Sequence, residues 1–351
     1  MHSEADIKAA LRGVQDPDLK QDLVDLGMIR DISVADGAVT LTVQLTTPAC
    51  PLKDKIAGDV KAALQERLGL AATVSFGADT ARVQTASDLI PGVRNVVFVA
   101  SGKGGVGKST VAANLALALA DTGAAVGLLD ADIYGPSVPT MFDLHQHPRA
   151  TDDKQIIPHE KLGLKLMSMG FLLEEGQPVI WRGPMLDSAL RQFLGQVAWG
   201  ELDYLVVDLP PGTGDVQMSL SRMVPQALAL IVTTPQDVAL ADVQRAMGMF
   251  GTVGIQVLGV VENMAGFVCT ACGHRSEIFG SGAGKRAARK YDVHFFGEIP
   301  LTEKVVTSGD KGLPIVKASA DDPAAIALKD VSYRVAQQIA IRASAAQPAT
   351  T

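Results

Sequence analysis

The sequence is poor in the features that mark secreted and membrane-spanning proteins. Its 351 residues include three cysteines, too few for a disulfide framework. No apolar run reaches the about 18 residues needed to cross a bilayer, and the first residues, Met-His-Ser-Glu-Ala-Asp, lack the pattern of a signal peptide. We therefore expect a cytoplasmic protein in a reducing compartment, where closely spaced cysteines serve metal or redox roles.

An excess of positive charge is also missing. Lys and Arg number 31 against 38 Asp and Glu, which gives a formal net charge of −7. Broad attraction to nucleic acid or to an anionic membrane is not favoured, and we expect neither as a partner. With 47% apolar and 20% charged residues, the composition suits a packed soluble protein, and the length allows two domains.

The most informative segment that is present is a glycine-rich loop at residues 101–110. It fits the phosphate-loop pattern G-x-x-x-x-G-K-(S/T), follows an apolar run at 95–100, and precedes leucines at helical spacing. In this strand–loop–helix context Lys108 is predicted to reach the β- and γ-phosphates of ATP, and Ser109 to ligate Mg²⁺. The predicted nucleotide-binding residues of the loop are Gly102, Lys103, Gly104, Gly105, Val106, Gly107, Lys108, Ser109 and Thr110.

Lys103 is a second lysine where an ordinary phosphate loop needs one. It points away from its own loop, so it is either an exposed charge or a donor to a second nucleotide. The pattern K-G-G-x-G-K-(S/T) resembles the deviant Walker A motif of the ATPase class that includes MinD, ParA and the nitrogenase iron protein. The resemblance implies that Lys103 reaches across a dimer interface, and hence a homodimer with ATP at or near that interface.

Residues 1 to about 82 are predicted to form a separate small α/β domain. Its elements run in the order β-β-α-β after a first helix near 4–13. Three motifs, Asp16-Pro17-Asp18, residues 22–29 and residues 46–51, resemble the small domain of SufT and PaaD-type iron–sulfur maturation factors. The third motif contains Cys50.

From about residue 94 the pattern changes to alternating strands and helices. This alternation predicts an α/β fold, a P-loop NTPase with a mostly parallel sheet and helices on both faces. Residues 83–93 are predicted to be a linker, 94–342 the ATPase domain, and 343–351 a loose tail. The predicted strands of this domain are 95–100, 125–129, 204–208, 228–233 and 257–262.

Carboxylates follow two of these strands, where ligands bind in open α/β sheets. Asp208 ends an apolar run in the manner of a Walker B motif and is predicted to hold Mg²⁺. Asp130 and Asp132 end another strand. The resemblance assigns Asp132 to positioning the attacking water; alternatively it caps the next segment, while Asp130 supports the loop or the metal shell.

Two further segments are predicted to contact the nucleotide. Residues 208–215 have the sequence Asp-Leu-Pro-Pro-Gly-Thr-Gly-Asp. Their glycines would let the segment move and place a backbone N–H at the γ-phosphate, as in a second switch region. A plain Pro-Gly turn would have the same sequence pattern. Asn263 ends the strand at 257–262, where the resembled class places an asparagine on the adenine edge. Asparagine is also a common loop residue, so both interpretations stay open.

A cysteine pair, Cys269-Thr-Ala-Cys272, supplies chemistry beyond ATP. The C-x-x-C spacing brings two thiolates to one metal centre, but tetrahedral zinc sites and iron–sulfur clusters usually need four ligands. Two chains of a dimer would provide four. A thiol–disulfide motif is less favoured, because it normally opens a helix in a thioredoxin-like context that is absent here.

The combination of motifs resembles the Mrp/ApbC family of iron–sulfur carrier ATPases over nearly the whole chain. Segments 99–103, 130–137, 181–185 and 208–215 match together with the C-x-x-C. The resemblance implies a homodimer that binds a [4Fe-4S] cluster between Cys269 and Cys272 of both subunits and passes it from cluster donors to apo iron–sulfur client proteins. Slow ATP hydrolysis would drive or gate the transfer.

Alternatives to the carrier function remain at this point. A zinc knuckle on the same four thiolates would make the protein a zinc-binding regulatory ATPase. A MinD/ParA-like positioning or partition ATPase has the same fold, but it would leave the cysteine pair without a role. Cys50 is either a buried small residue or, from the resemblance alone, an auxiliary cluster ligand.

Overall fold

The computed structural model describes residues 2–35, 37–48, 50, 52–78, 80, 89–172 and 183–346. The chain divides into two compact units, residues 1–82 with 336–351, and residues 83–335. Parts of the sequence predictions lie outside the described residues: Ala49 and Pro51, most of the linker at 83–88, Trp181 and Arg182, and the last five residues of the tail.

The first unit is a three-stranded sheet packed with two helices. Its elements are α1 (Glu4–Leu11), β1 (Ile29–Ala35), β2 (Ala38–Leu45), α2 (Lys53–Leu68) and β3 (Ala71–Ala78). β2 is central, antiparallel to β1 and parallel to β3. Alternate residues of β2 from Val39 to Leu45 are buried, which is the period of a strand with one face on a core. Cys50 belongs to this apolar core.

The second unit contains a sheet of nine strands within the described residues. In spatial order the sheet runs β11-β10-β9-β4-β8-β5-β7-β6, and β12 pairs with β10. The strands are β4 (Val93–Ala100), β5 (Val126–Asp130), β6 (His159–Lys161), β7 (Leu164–Ser168), β8 (Leu202–Asp208), β9 (Leu228–Thr233), β10 (Gln256–Val268), β11 (Arg275–Ser276) and β12 (His294–Leu301). Its central strands are parallel and almost wholly buried, which explains their continuous apolar runs.

Helices connect these strands, and the predicted fold class is confirmed. The helices are α3 (Lys108–Ala120), α4 (Val138–Met141), α5 (Gly183–Gly195), α6 (Asp215–Met223), α7 (Val238–Val253), α8 (Ala283–Lys290), α9 (Glu303–Asp310), α10 (Ile315–Ala318) and α11 (Pro323–Ala346), with a 3₁₀ turn at Met169–Leu172. Because β4, β5, β8, β9 and β10 are parallel, their carboxyl ends meet at one edge of the sheet.

Two boundaries differ from the expectations from sequence. β10 continues to Val268 rather than ending at 262, because Met264 and Gly266 adopt positive φ angles and let the strand resume pairing with β12. α11 continues to Ala346 rather than loosening after 342, since Ala343, Ala345 and Ala346 are strong helix formers. Residues from 336 onward group with the first unit.

We expect Gly259→Ala to destabilise the second unit. Gly259 lies in β10 between two paired strands, and a Cβ there would come within 2.1 Å of the His294 carbonyl oxygen. Relieving the clash requires β10 and β12 to separate, at a cost of about 3 kcal/mol. Urea unfolding followed by tryptophan fluorescence measures it, because Trp199 is buried in this unit.

Gly248→Ala is the matched control in the same unit. Gly248 lies inside α7, and a Cβ there meets no atom within 4 Å. Alanine in a helix interior is expected to add about 0.5–1 kcal/mol to the free energy of unfolding. Equal stabilities for the two variants would contradict the close approach of β10 to β12.

Candidate functional site

The phosphate loop joins β4 to α3 and depends on close backbone packing. A Cβ at Gly102 would lie 2.2 Å from the Asp242 carbonyl oxygen, and one at Gly107 would lie 2.2 Å from the Asn263 side-chain nitrogen. Gly107 also has a φ of 78° directly before α3. A larger residue at 102 would collide with backbone, and one at 107 would displace the Asn263 side chain and strain a positive φ angle. Because the loop follows β4, its backbone and the first turn of α3 lie at the carboxyl edge of the sheet.

Lys108 is buried among carboxylates. Its ammonium lies 2.6 Å from Asp208 Oδ1, 3.9 Å from Asp132 Oδ2 and 3.3 Å from the Ser109 hydroxyl. The side chain of Lys108 is 6% exposed. The structure thus brings four sequence-predicted residues together, and Lys108 supplies the positive charge that compensates the two buried carboxylates.

Asp208 has the properties of a metal-binding carboxylate. Burial raises its pKa above the ordinary value, although the neighbouring Lys108 opposes this increase. Its second oxygen, Oδ2, is buried and has no hydrogen-bond partner within the described part of the chain. An oxygen without a partner beside the Ser109 hydroxyl fits a hard cation such as Mg²⁺, which prefers carboxylate and hydroxyl oxygens.

Asp130 and Asp132 have different surroundings. Asp130 is fully buried and accepts hydrogen bonds from the backbone N–H groups of Asp132, Ser137 and Val138 and from the Ser168 hydroxyl. Burial and the Asp208 carboxyl raise the pKa of Asp130 to about 7. Asp132 Oδ1 accepts hydrogen bonds of 3.3 Å from the backbone N–H groups of Tyr134 and Gly135, as the capping alternative predicts. Its Oδ2 lies 3.9 Å from the Lys108 ammonium, so Asp132 holds the segment after β5 and also faces the phosphate loop.

The segment after β8 is held by a residue that the sequence analysis did not single out. Gln217, buried in α6, donates from Nε2 to the carbonyl oxygens of Pro210 at 2.7 Å and Gly212 at 3.1 Å. The Gly212 N–H in turn donates to the Ser101 carbonyl at 2.9 Å. Residues 208–215 therefore contact the phosphate loop directly. In the sequence, the only sign that Gln217 holds this segment is a glutamine in the first turn of the helix that follows it.

Lys103 lies at the surface and is paired within its own chain. Its ammonium is 3.9 Å from Asp242 Oδ2, and its side chain is 35% exposed. Asp242 is also paired with Arg245 one turn along α7. The pair at 3.9 Å is long and partly solvated, so Lys103 can leave Asp242 at little energetic cost. Nothing in the sequence pattern pointed to Asp242.

A cavity of about 430 Å³ opens beside the phosphate loop. Gly107 and Thr110 form one side, and mainly apolar residues form the rest, among them Val111, Met141, Met264, Ile299, Pro300 and Leu301. Asn263 lies in the wall and donates from Nδ2 to the Val106 carbonyl oxygen at 2.9 Å. An apolar cavity with a few polar groups beside a phosphate loop suits a flat heterocyclic base.

The cysteine pair lies in the turn between β10 and β11. The Cys269 N–H donates to the His274 carbonyl, and the Gly273 N–H donates to the Cys269 carbonyl, which closes a tight loop. Backbone N–H groups of Ala271 and Cys272 directed at its sulfur lower the pKa of Cys269. Cys269 is partly exposed and Cys272 is exposed, so both thiols are reachable from solvent.

Metal-binding groups are otherwise dispersed. Across the described ranges no three His, Cys, Asp or Glu side chains gather at a point that could hold a metal ion. In the first unit Cys50 is buried, its sulfur lies 3.9 Å from Asp18 Oδ2, and burial raises its pKa to about 11. One chain therefore offers a metal two thiols at the turn.

No helix in the described residues is long and apolar enough to span a bilayer.

Solved structures match about two thirds of the chain. A nucleotide-binding protein from Archaeoglobus fulgidus in complex with ADP is 42% identical, has a TM-score of 0.58, and covers 66% of this chain and 92% of that chain. MinD from Pyrococcus furiosus has a TM-score of 0.52 at 21% identity, covering 68% of this chain and 96% of its own, and shows a shared fold alone.

Curated relatives match almost end to end. A protein from Synechocystis sp. named iron-sulfur cluster carrier protein is 47% identical over 345 residues, covering 96% of this chain and 98% of its own. A protein of the same name from Deinococcus radiodurans is 49% identical over 336 residues, covering 95% of each chain.

Family models agree with the resemblance seen in the sequence. One, described as iron-sulfur cluster assembly protein, matches residues 4–76. Another, described as ParA, NUBPL iron-transfer P-loop NTPase, matches residues 92–336. With the phosphate loop, the buried lysine and the paired thiols in place, the chain belongs to the NUBPL iron-transfer family of P-loop NTPases.

Proposed function

We propose that this chain is an ATP-binding and ATP-hydrolysing carrier that holds a [4Fe-4S] cluster in a homodimer and passes it to apo-proteins. The observation that carries the proposal is a pair of solvent-reachable thiols, Cys269 and Cys272, on a nucleotide-binding fold. The name shared by full-length relatives, iron-sulfur cluster carrier protein, supports the same function. Cluster donors and apo iron–sulfur clients would be its protein partners.

The ligand count supports a homodimer. A [4Fe-4S] cluster is held by about four thiolates. The turn supplies two, and the described part of the chain contains no group of three His, Cys, Asp or Glu side chains that could hold a metal. A second copy would supply the other two at a symmetric interface. The lowered pKa of Cys269 favours the thiolate that ligates iron.

The nucleotide would be held by the phosphate loop and the cavity beside it. Lys108 would exchange Asp208 for phosphate oxygens, and Lys103 would leave Asp242 for the partner's nucleotide. Ser109 and Asp208 would hold Mg²⁺, which when bound neutralises charge on the transferring phosphoryl group. Asp132 would orient water, and Asn263 would contact adenine from the cavity wall.

Transfer of a cluster tests the proposal. Protein reconstituted anaerobically is mixed with the apo form of a [4Fe-4S] enzyme, with a chelator present to remove free iron. Recovery of the client's activity, at a rate that depends on Mg-ATP, is the expected result. Recovery no faster than with free iron and sulfide would contradict carrier function, and equal rates with and without Mg-ATP would contradict its coupling to the nucleotide.

Lys103→Ala is expected to retain nucleotide binding but to lower ATP turnover by about 100-fold or more, as loss of a charge donated in trans does in related chemistry. The reason is that Lys103 is partly exposed and paired with Asp242, whereas Lys108 is buried among carboxylates and is predicted to contact the nucleotide of its own chain. Steady-state phosphate release, with affinity for a fluorescent ADP analogue measured in parallel, separates the two effects.

Lys285→Ala is the control for that variant. Lys285 is an exposed lysine on α8, outside the phosphate loop, and its loss should change neither binding nor turnover. Unchanged hydrolysis in Lys103→Ala would remove its proposed role in trans.

A further inference from the structure

The nucleotide cavity and the cysteine pair are built on the same strand. In the middle of β10, Asn263 donates to the Val106 carbonyl of the phosphate loop at 2.9 Å. Met264, the next residue, lines the cavity and has a φ of 57°. Cys269 follows directly after the strand. The phosphate loop and the first thiol are therefore connected by one short stretch of backbone.

The backbone between Asn263 and Cys269 is irregular, and the Arg275 side chain holds it through a pair with Glu298, here called the clamp. The pairing register between β10 and β12 shifts after Asn263, and Gly266 has a φ of 78°. Arg275, in β11 beyond the cysteine turn, donates from Nη2 to the Ala265 carbonyl at 2.9 Å and to Glu298 Oε2 at 2.8 Å. A Cβ at position 266 would lie 2.6 Å from Arg275 Nε, so the glycine leaves room for the arginine.

Two more elements contact both sites. β12 carries Glu298, the partner of Arg275, and its next residue, Ile299, lines the cavity. α9 begins at Glu303, whose carboxylate accepts a hydrogen bond of 3.0 Å from the Thr270 hydroxyl inside the cysteine turn. Val305, in the first turn of α9, lines the cavity. A ligand that orders the cavity wall therefore acts on the elements that hold the turn.

We propose that Arg275 and Glu298 are positioning residues that couple occupancy of the nucleotide cavity to the geometry of the cysteine turn within one subunit. This inference rests on the proposed function, since it takes the cavity as the nucleotide site and Cys269 and Cys272 as the metal site. By linkage, a metal on the thiols changes nucleotide affinity by the factor by which nucleotide changes metal affinity. The route requires no partner subunit.

The clamp fixes geometry rather than stability. The side chains of Arg275 and Glu298 are 49% and 39% exposed, and ion pairs this exposed contribute little to folding. The pair determines the position of β11 relative to residues 264–266 of β10, where the pairing register shifts. It thereby determines how the cysteine turn is held. Substitution should therefore leave the fold and the cavity intact while removing the coupling.

Thiol labelling measures the coupling without a cluster. Reduced, metal-free protein is treated with iodoacetamide with and without Mg-ADP, and the alkylation rates of Cys269 and Cys272 are read by peptide mass spectrometry. The measurement is made in a Lys103→Ala background, with monomer mass verified, so that closure of a dimer contributes nothing. Buried Cys50 serves as the slow internal reference.

Mg-ADP is expected to change the alkylation rate of Cys269 by about five-fold or more. In Arg275→Gln and in Glu298→Gln the ratio of rates with and without Mg-ADP is expected to approach one, while affinity for a fluorescent ADP analogue stays within about two-fold. Arg275→Lys should restore part of the ratio. Arg286→Gln is the matched control, because Arg286, on α8, forms an exposed pair with Asp237 at the start of α7, and this variant should keep the full ratio.

The inference is overturned if Mg-ADP leaves the Cys269 alkylation rate unchanged in the Lys103→Ala background. It is also overturned if Arg275→Gln and Glu298→Gln both keep the full effect of Mg-ADP on that rate. Loss of ADP affinity in both clamp variants would also overturn it, by assigning the pair to the cavity structure. The carrier function is judged separately, by reconstitution with iron and sulfide. If Mg-ADP changes the Cys269 alkylation rate but the protein binds no cluster, the coupling is supported and the carrier function is rejected. If the protein binds a cluster but Mg-ADP leaves the alkylation rate unchanged, the carrier function is supported and the coupling is rejected.

Discussion

Anaerobic reconstitution is expected to give about four irons and four sulfides per dimer, and the Cys269→Ala/Cys272→Ala variant is expected to bind neither. Both cysteines lie in a turn that is open to solvent, so their removal leaves the core packing unchanged. Loss of the cluster then reports loss of ligands rather than unfolding. Absorbance, iron and sulfide analysis, and oligomer mass provide the measurement.

Cys50→Ala is the control for this variant. Cys50 is 6% exposed, and burial raises its pKa to about 11, so it is a poor source of thiolate. The variant should therefore keep the full cluster. A labile cluster retained by the double variant would show that the site is assigned to the wrong cysteines. One zinc per dimer without sulfide would favour the zinc-binding regulatory ATPase instead.

Lys108→Ala is expected to weaken nucleotide binding by at least about 100-fold, or about 2.8 kcal/mol. Lys108 is the buried cation at the start of α3, and its ammonium lies 2.6 Å from Asp208, the carboxylate predicted to bind Mg²⁺. Titration with a fluorescent ATP analogue measures the loss. Wild-type affinity in the variant would remove Lys108 from the phosphate site.

The same variant should also show a pH-dependent loss of stability. Burial raises the pKa of Asp208, so the folded protein holds more protons than the unfolded chain between the ordinary and the raised pKa, and stability falls as pH rises through that interval. Lys108 opposes this increase in pKa, and its removal enlarges it. Relative to wild type, Lys108→Ala should therefore lose more stability at pH 8 than at pH 5.

A double variant separates binding from stability. In Lys108→Ala/Asp208→Asn the buried carboxylate that lost its partner is replaced by a neutral amide, so stability at pH 8 should largely recover. Nucleotide binding should not recover, because the cation predicted to bind the phosphates is still absent. Recovery of both properties would mean that Lys108 acts only by neutralising Asp208.

Much of the fold could be predicted because its signals are local. Buried parallel strands read as short apolar runs, and the phosphate loop is continuous in sequence between a strand and a helix. β6, β7, β11 and β12 gave no such signal, because they are short or lie toward the sheet edges, where polar residues and glycine are tolerated. β11 has two residues and exists only as the closing strand of the cysteine hairpin.

In the candidate site, too, some residues could be predicted from local sequence signals and others could not. Local spacing predicted Lys108, Ser109, Asp208 and the cysteine pair, because each belongs to a motif whose chemistry depends on neighbours in sequence. Local spacing placed Asp130 and Asp132 in one motif, and both are buried and hold the backbone after β5. Only the tertiary structure shows that Asp132 is the one of the two that lies beside Lys108.

The sequence by itself determined the family, the fold class and the groups that carry the proposed chemistry. Only the tertiary structure decided which distant residues hold those groups: Gln217 on the segment after β8, Asp242 on Lys103, and Arg275 between the cavity and the cysteine turn. The reason is physical: a hydrogen bond or ion pair needs its atoms placed to within a few tenths of an ångström. That placement is set by which strands and helices the burial of apolar surface brings side by side, and no spacing along the chain encodes it.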